Sequence, residues 1–336
     1  RGLSRMTQTS WRLFTGSENQ WDALVTQLDI QTPFQLSAWA RFRATFGWQA
    51  LRLTTSDNGT AVQFLTRSAG PLLVAWAAGG PVGNPSQVAL RELPAMVKSH
   101  LGGKVLYLRV ADHQPRDNAR EQLFSQAGWS RPRRELVNNH TLIRHLDGND
   151  STLGSAYSTN WSRNLRRGQQ RNVGADVWAA PDSETMAQLH RDVESTKGSF
   201  SADWRAHADS LNDLIDCFGA RLVVVRAVDE SDRVLSIRAA VVNGAHAFDF
   251  LAATSSDGRK CYASNVAMHA LLGAVAARGA TSYDFGGVDP KTNKGVYDFK
   301  HGAGGVEHHY VGEFEFVSPG VIKPIVSKLV ALRLSA

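Results

Sequence analysis

The sequence has few cysteines, no long hydrophobic run and no metal-binding motif. Cys217 and Cys261 are the only cysteines among 336 residues, too few for a disulfide framework. The longest apolar stretch, 70–83, is interrupted by glycine and proline, whereas a membrane helix requires roughly 18 to 20 uninterrupted apolar residues. The eleven histidines show no HExxH or other ligand spacing. These absences predict no metal site and no membrane span, and the polar N-terminus, which lacks a signal-peptide core, predicts a cytoplasmic protein.

The composition is that of a globular protein with an excess of basic residues. The chain is 43% hydrophobic and 20% charged, and its length allows two domain-sized cores. Lys and Arg number 37 against 31 Asp and Glu, and this net charge of +6 indicates an anionic partner. Residues 131–171 contain eight arginines and only three acidic residues. Because guanidinium groups pair well with phosphate, this stretch predicts either a phosphate-bearing partner or a solvated basic face.

Helix-like and strand-like patterns alternate in the same order in both halves of the chain. Each half runs through a helix, hairpin strands, a helix, a strand, a helix and a strand. Asn243-Gly244 is typical of a type I′ hairpin turn. The turn-rich cluster 146–151 separates the halves. The pattern predicts an α/β (α+β) fold with two similar domains of mixed sheet, residues 1–150 and 151–336.

The most unusual segment is rich in glycine and lies near the C-terminus. It contains Tyr283-Asp-Phe-Gly-Gly287, then Gly295-Val-Tyr-Asp-Phe-Lys300, a glycine cluster at 302–305 and Val311-Gly-Glu-Phe314. Paired glycines after a strand allow a ligand to approach the backbone closely. The segment therefore predicts ligand-contacting loops around Lys300, or alternatively two tight turns beside a solvated lysine.

In this order the segments resemble the FemABX family, the aminoacyl-tRNA-dependent peptidyltransferases of bacterial cell-wall precursor synthesis. The family pattern of "YDFGG", "G-x-Y-x-F-K" and "VGEF" matches the three segments quoted above. The resemblance extends over nearly the whole chain through shorter elements at 34–39, 80–82, 107–109, 164–174 and 196–200.

The resemblance implies two tandem GNAT-like acyltransferase domains, with an acceptor cleft in the first and an aminoacyl-tRNA channel reaching the second. The implied reaction moves an amino acid from the 3′ ester of a charged tRNA to an amine of UDP-MurNAc-pentapeptide or its lipid-linked form, with no cofactor, no metal and no DNA. The interval between Phe200 and Leu222 leaves no room for the long coiled-coil arm of some members. A monomer is expected.

The resemblance also assigns roles to individual residues. Lys300 is the candidate that stabilises the oxyanion of ester aminolysis, a contribution of about 3 to 4 kcal/mol. Phe299 is implied to lie beside the terminal adenosine, although core packing is an equal alternative. The motif residues that we expect to bind substrate are Tyr283, Gly286, Gly287 and Tyr297. Asp284, Asp298 and Glu313 are possible bases, and Asp284 is expected rather to hold the turn at Gly286.

Two sets of arginines are candidates for phosphate binding. Arg43, Arg109 and Arg205 lie in segments that the family uses near its acceptor cleft, where a diphosphate calls for basic groups. The second set has helical spacing and forms one basic face for tRNA phosphates, or else an exposed structural helix; it comprises Arg163, Arg166, Arg167 and Arg171.

Three alternatives remain open at this point. The residue before Gly80-Pro81 is not basic, and the proline of the family's "FLRIDP" is absent at 110–112, so a peptide-like secondary metabolite is an alternative acceptor. A CoA-dependent GNAT N-acetyltransferase requires an R/Q-x-x-G-x-G/A turn, but Arg259–Ser264 has Tyr262 and Ser264 in place of the small residues. A non-catalytic RNA-binding module accounts for the basic helix but not for the glycine motifs.

The basic amphipathic segment 321–334 is expected to pack on the second domain, with peripheral membrane contact as the weaker alternative.

Overall fold

The computed structural model describes residues 10–102, 105–146, 153–197, 204–326 and 328. Parts of two predicted features, the turn cluster at 147–151 and the motif residues 198–200, lie outside the described residues. The chain forms two compact units: unit 1 comprises Arg1–Asn139 and His309–Ala336, and unit 2 comprises His140–His308. The predicted α/β class with two units of mixed sheet is confirmed.

The helices and strands are numbered in chain order. The first half contains β1 (Trp11–Leu13), α1 (Glu18–Gln27), α2 (Ser37–Ala44), β2 (Gln49–Thr55), β3 (Thr60–Ala69), β4 (Leu72–Ala78), β5 (Val82–Gly83), α3 (Gln87–Leu101), β6 (Val105–Pro115), α4 (Asn118–Gln126) and β7 (His140–His145). The second half contains α5 (Thr159–Gln170), β8 (Gly174–Val177), α6 (Ser183–Lys197), α7 (Ala208–Phe218), β9 (Leu222–Val228), β10 (Val234–Asn243), β11 (His246–Thr254), α8 (Ser256–Lys260), α9 (Ala263–Ala276), β12 (Ser282–Gly287), α10 (Lys294–Gly302) and β13 (Val306–Ser318).

The division into units differs from the predicted ranges 1–150 and 151–336. The C-terminal strand β13 pairs antiparallel with β6, from Tyr310 opposite Pro115 to Ser318 opposite Leu106. This pairing places β13 in unit 1 and makes that unit discontinuous in sequence. The second half of the chain is therefore not a separate domain up to its last residue.

The sheet of unit 1 has the strand order β1-β2-β3-β4-β6-β13, with β5 against β3. The parallel pair, β4 and β6, stays paired along the whole of β4, from Leu72 opposite Val105 to Ala78 opposite Ala111. Large buried side chains fill the core on one face of this sheet, among them Phe64, Leu90, Leu108, Phe124 and Phe314. Burial of such side chains stabilises the fold by about 1.5 to 3 kcal/mol each.

Gln35 has a structural role in the segment that resembles the family element at 34–39. The side chain is fully buried. Its amide nitrogen donates to Ala78 O at 2.7 Å and to Gln63 O at 3.1 Å, and its amide oxygen accepts from Gln63 N at 2.6 Å. Gln35 thus satisfies backbone groups of β3 and β4 where β4 ends, and buried backbone groups require such partners.

His113 near the end of β6 makes the stability of the protein depend on pH. The ring is 6% exposed, stacks on Tyr310 at 4.7 Å and has Nδ1 3.2 Å from Thr32 Oγ1. Burial lowers the pKa of His113 from 6.5 to about 4. Between pH 6.5 and about pH 4, His113 is therefore protonated in the unfolded chain but neutral in the folded chain. The stability that neutral His113 allows is fully present above pH 6.5 and is lost as the pH falls towards 4.

We expect the free energy of unfolding to fall by about 2 to 3 kcal/mol between pH 7.5 and 4.5 because of His113 alone. Urea unfolding of the wild type and of His113→Phe at both pH values measures this contribution, since phenylalanine keeps the stacked ring without a titratable group. The pH-dependent loss should be smaller in His113→Phe by that amount. An equal loss in the two proteins would contradict the prediction.

The sheet of unit 2 has the order β7-β12-β11-β10-β9-β8, in which β11 and β12 are parallel and the other neighbours antiparallel. Helices α5 and α9 cover it and supply Trp161, Leu165, Leu271 and Leu272 to a core that also contains Val223 and Val225 of β9. Helices α6 and α7 have only 15 and 11 residues, so the described part of unit 2 contains no long coiled-coil arm.

The C-terminal segment packs on unit 1 rather than on the second half, which corrects the prediction. Ile322 and Val326 contact the cluster of Tyr107 and Val317. The remainder of the predicted helix, 329–334, lies outside the described residues. None of the described helices has both the length and the apolar character needed to cross a membrane.

Candidate active site

The parallel strands β11 and β12 of unit 2 separate before they end. Their pairing covers only 246–248 of β11 opposite 282–284 of β12, although β11 continues to Thr254 and β12 to Gly287. We call the gap between 249–254 and 285–287 the strand opening. The corresponding parallel pair of unit 1 has no such gap, because all of β4 is paired with β6. Beyond this point the two strands no longer pair with each other, although they remain neighbours in the sheet.

Two glycines and one aspartate shape the β12 side of the strand opening. Gly286 has φ +69°, a conformation that favours glycine, and a Cβ there would lie 3.6 Å from Asp249 O. Asp284 Oδ1 accepts hydrogen bonds from Gly286 N at 2.7 Å and from the Thr141 hydroxyl. The predicted role of Asp284 in holding this turn is confirmed, and these contacts engage its carboxylate.

Lys300 on α10 reaches the strand opening. Its Nζ donates to Gly286 O at 3.2 Å and to Gly287 O at 3.1 Å, and among the described residues these carbonyls are its hydrogen-bond partners. One of its three N–H donors is thus left for a ligand. Lys300 is partly buried, which argues against the solvated alternative.

The surroundings of Lys300 act on its pKa in both directions. Burial lowers the pKa below its ordinary value of 10.5, and the positive charge of Arg238 lowers it further. The negative charges of Asp249 and Asp284 act in the opposite direction and favour the cation.

A buried polar cluster lies beside Lys300 and Phe299; it consists of Arg238, Asp249 and Tyr283. Arg238 Nη1 donates to Asp249 Oδ2 at 3.2 Å, and the Tyr283 hydroxyl donates to Asp249 Oδ1 at 3.0 Å. The Arg238 guanidinium carbon lies 4.7 Å from the centre of the Phe299 ring, a distance typical of a cation–π contact. We name this group the Arg238 cluster.

Sequence reasoning did not select Arg238 and Asp249, although a signal was present. Arg238 in β10 and Asp249 in β11 are each the one Asp, Glu, Lys or Arg of a mostly apolar strand, and buried charges require partners. An Asn243-Gly244 turn would set Arg238 directly opposite Asp249. In the structure Asn243 pairs with His246, so that Ala240 lies opposite Asp249. Arg238 and Ala240 are two residues apart on β10 and so lie on the same face of the sheet. The side chains of Arg238 and Asp249 therefore still meet.

The other residues expected at the substrate site have different surroundings. Tyr283 is fully buried, and its hydroxyl is held by Asp249. The Tyr297 hydroxyl donates to Glu307 at 2.6 Å, and its ring stacks on His301. Phe299 packs against the core of unit 2 and has Arg238 over its ring, so both alternatives for it, core packing and ligand contact, retain support.

The four arginines predicted to bind tRNA form an exposed patch on unit 2. Among the described residues none of them has a carboxylate partner. Two of the arginines lie over the ring of Tyr262: the guanidinium carbons of Arg167 and Arg171 are 5.9 and 5.4 Å from its centre. Tyr262 has φ +62° and immediately precedes α9. We name Arg163, Arg166, Arg167 and Arg171 the arginine patch. Arg163, Arg167 and Arg171 donate to neutral groups, namely Asn160, the Tyr262 hydroxyl and Lys260 O, so their positive charges can still attract phosphate.

The arginines predicted to bind the acceptor are divided between the two units, and each has different surroundings. Arg109 is 2% exposed, and its guanidinium donates to Glu313, to the Tyr107 hydroxyl and to Arg134 O. These contacts engage the guanidinium within unit 1, and acceptor binding by Arg109 stays a prediction. Arg43 of unit 1 lies over the rings of Trp39, Phe46 and Trp48, and burial lowers its pKa. Arg205 belongs to unit 2 and stacks on Trp204 at 4.8 Å.

The fold and the strand opening define a protein of two tandem GNAT-like units. Residues 182–328 match the sequence model of the FemAB family, and the resemblance to FemABX predicted from the motifs is confirmed. No curated protein sequence matches the chain.

Solved structures with similar folds cover nearly the whole chain. FemX is 15% identical and superposes with a TM-score of 0.82, covering 94% of this chain and 100% of its own. A tandem GNAT protein from the clavulanic acid biosynthesis pathway is 10% identical, with a TM-score of 0.55 and coverage of 92% and 98%. L-PGS from Bacillus licheniformis is 12% identical, with a TM-score of 0.54 and coverage of 96% and 98%. At these identities the likenesses establish the fold.

Proposed function

We propose that the protein is an aminoacyltransferase that moves an amino acid from aminoacyl-tRNA to an amine and so forms an amide bond. The observation that carries the proposal is the position of Lys300, a partly buried cation at the strand opening that has one N–H donor unused by the residues the structure describes. The FemAB family match supports transferase chemistry of this class. The arginine patch provides a surface of matching charge for the tRNA phosphates.

In the proposed reaction, the amine nitrogen of the acceptor attacks the carbonyl carbon of the 3′ ester. The carbonyl π electrons move to oxygen, and the Lys300 N–H donates to the oxyanion. Collapse of the intermediate breaks the ester C–O bond, the ribose 3′-oxygen leaves with a proton, and the nitrogen loses its proton to solvent or to that oxygen. No protein base is required.

The three carboxylates considered as bases are engaged elsewhere. Asp284 accepts from Gly286 N and Thr141. Asp298 is exposed and accepts from Lys294 Nζ at 2.6 Å. Glu313 belongs to unit 1 and pairs with Arg109. The proposed mechanism therefore relies on electrostatic stabilisation by Lys300 rather than on proton abstraction by a carboxylate.

For the acceptor we propose a peptidoglycan precursor, either UDP-MurNAc-pentapeptide or its lipid-linked form, with a peptide-like secondary metabolite as the alternative. This substrate pair would place the reaction in the cytoplasm. Acetyl-CoA is disfavoured as donor, because Tyr262 occupies the turn before α9 where a pyrophosphate loop needs small residues, and its ring lies against two arginines.

The test is transfer of radiolabelled amino acids from a total charged tRNA pool to UDP-MurNAc-pentapeptide and to its lipid-linked form. We expect label on a muropeptide acceptor, sensitive to ribonuclease and independent of acetyl-CoA. Transfer to a peptide-like metabolite but to neither cell-wall acceptor would show that the proposed reaction is right and the proposed acceptor is wrong. Labelling from acetyl-CoA alone would overturn the proposed donor.

A further inference from the structure

Arg238 in β10 is a buried cation with unused hydrogen-bond donors. The residue is 7% exposed. Among the described residues its hydrogen-bond partner is Asp249, reached through Nη1, and its Nε is buried without a partner. A guanidinium carries several N–H donors in a fixed planar arrangement. A buried donor without an acceptor is costly, and in a native protein such a group calls for an explanation.

The position of Arg238 connects it to the strand opening. Its guanidinium lies over Phe299, the residue before Lys300 on α10. Its partner Asp249 is the first residue of β11 beyond the pairing with β12, and Asp249 is also held by the Tyr283 hydroxyl. Arg238 and Lys300 therefore approach the opening from different elements, β10 and α10, and the two charges interact.

We propose that Arg238 is a second cationic donor of the site, which binds an oxygen of the aminoacyl ester when the charged end of the tRNA enters the strand opening. This inference rests on the proposed function and adds a residue to it. The unused donors of Arg238 provide the hydrogen bond, and Asp249 fixes the guanidinium plane through Nη1. Arginine suits this role, because its planar fork can bind a carboxylate and a second acceptor at once.

Burial restricts the part of the donor that Arg238 can contact. The phosphates of an RNA stem lie on the outside of the nucleic acid and suit exposed cations such as the arginine patch. At 7% exposure Arg238 does not offer such a contact. The aminoacyl ester is the small polar end of the donor and is the part that a narrow gap between strands can admit.

The experiment compares two RNA minihelices that differ only at the 3′ end. One carries an amino acid in a non-hydrolysable 3′-amide linkage, and the other has a free 3′-hydroxyl. We expect the wild type to prefer the aminoacylated form. Because a hydrogen bond to a charged group is lost, the preference should fall about tenfold to hundredfold in Arg238→Gln, with binding of the free minihelix unchanged.

Arg238→Lys is the variant that distinguishes loss of the hydrogen bond from misfolding. Lysine keeps the positive charge beside Asp249 and so avoids an unpaired buried carboxylate, but it lacks the planar fork. We expect Arg238→Lys to melt near the wild-type temperature and still to lose the preference for the aminoacylated minihelix. The matched control is Arg226→Gln on β9, where an arginine pairs with Asp176 on the surface; it should retain the preference.

The outcomes separate this inference from the proposed function. If wild type binds the minihelices and Arg238→Lys retains the full preference, the inference is overturned while the proposed function stands. If the variants bind the aminoacylated and the free minihelix equally more weakly than wild type does, Arg238 has only a structural role and the inference is again overturned. If wild type binds neither minihelix, the proposed donor fails, and the inference fails with it.

Discussion

Replacement of Lys300 by methionine is expected to lower the rate of amino acid transfer by about a hundredfold to a thousandfold, with little change in tRNA binding. The Lys300 ammonium is held at the strand opening by Gly286 O and Gly287 O, and among the described residues its third donor has no partner and can serve the oxyanion. Loss of one preorganised oxyanion donor has effects of this size in other acyl transfers. Methionine keeps an unbranched apolar stem, so the packing beneath the ammonium is largely retained.

Single-turnover transfer and equilibrium tRNA binding, measured on the same preparations, check this prediction. The matched control is Lys294→Met on the same helix, where the lysine is exposed and pairs with Asp298; its transfer rate should stay within about twofold of wild type, since an exposed pair of this kind contributes little. A transfer rate of Lys300→Met close to that of wild type would show that Lys300 does not stabilise the oxyanion. A parallel loss of tRNA binding would indicate a role in binding the donor instead.

Replacement of Glu313 by glutamine is expected to lower the free energy of unfolding by about 3 to 5 kcal/mol, because it leaves the buried Arg109 without its counter-charge. Glu313 is fully buried and accepts from Arg109 and from the backbone nitrogens of Leu136 and Val137, both at 2.6 Å. These bonds join β6, β13 and the loop that follows α4 within unit 1. Urea unfolding at neutral pH measures the loss.

Two further variants separate the ion pair from general damage. Arg109→Met combined with Glu313→Gln removes both charges, and we expect it to be more stable than Glu313→Gln alone, because no uncompensated charge remains buried. Glu184→Gln, which removes an exposed partner of Arg191, should change stability by less than about 1 kcal/mol. If instead Arg109→Met raised the KM for the acceptor without loss of stability, Arg109 would be a binding residue after all.

The glycine-rich segment that is proposed to carry the chemistry was predictable as a set of turns because its signals are local. Paired glycines at 286–287 mark a strand end that a ligand can approach, and the structure has the strand opening there. The spacing of Arg163, Arg166, Arg167 and Arg171 predicts a common helix face; all four are exposed, the first three on α5 and Arg171 at its C-cap. The turn role of Asp284 follows from its place two residues before Gly286, within reach of that backbone nitrogen.

Other features depend on contacts between residues far apart in the chain. Arg109 ends an apolar segment and has the sequence signature of a ligand-binding residue, but Glu313, some 200 residues away, occupies its guanidinium. The return of β13 to unit 1 likewise depends on pairing with β6. Periodicity identifies a strand but does not identify its neighbour in the sheet.

By itself the sequence determined the fold class, the family resemblance and the glycine-rich segments on either side of Lys300, because these depend on residue type and short spacing. Only the tertiary structure decided which charges are engaged. Arg109 is buried against Glu313, whereas Lys300 and Arg238, near the end of the β11–β12 pairing, keep donors that no described residue uses. A charge removed from water must find a partner, and which partner it finds depends on the packing of distant segments rather than on its neighbours in the chain.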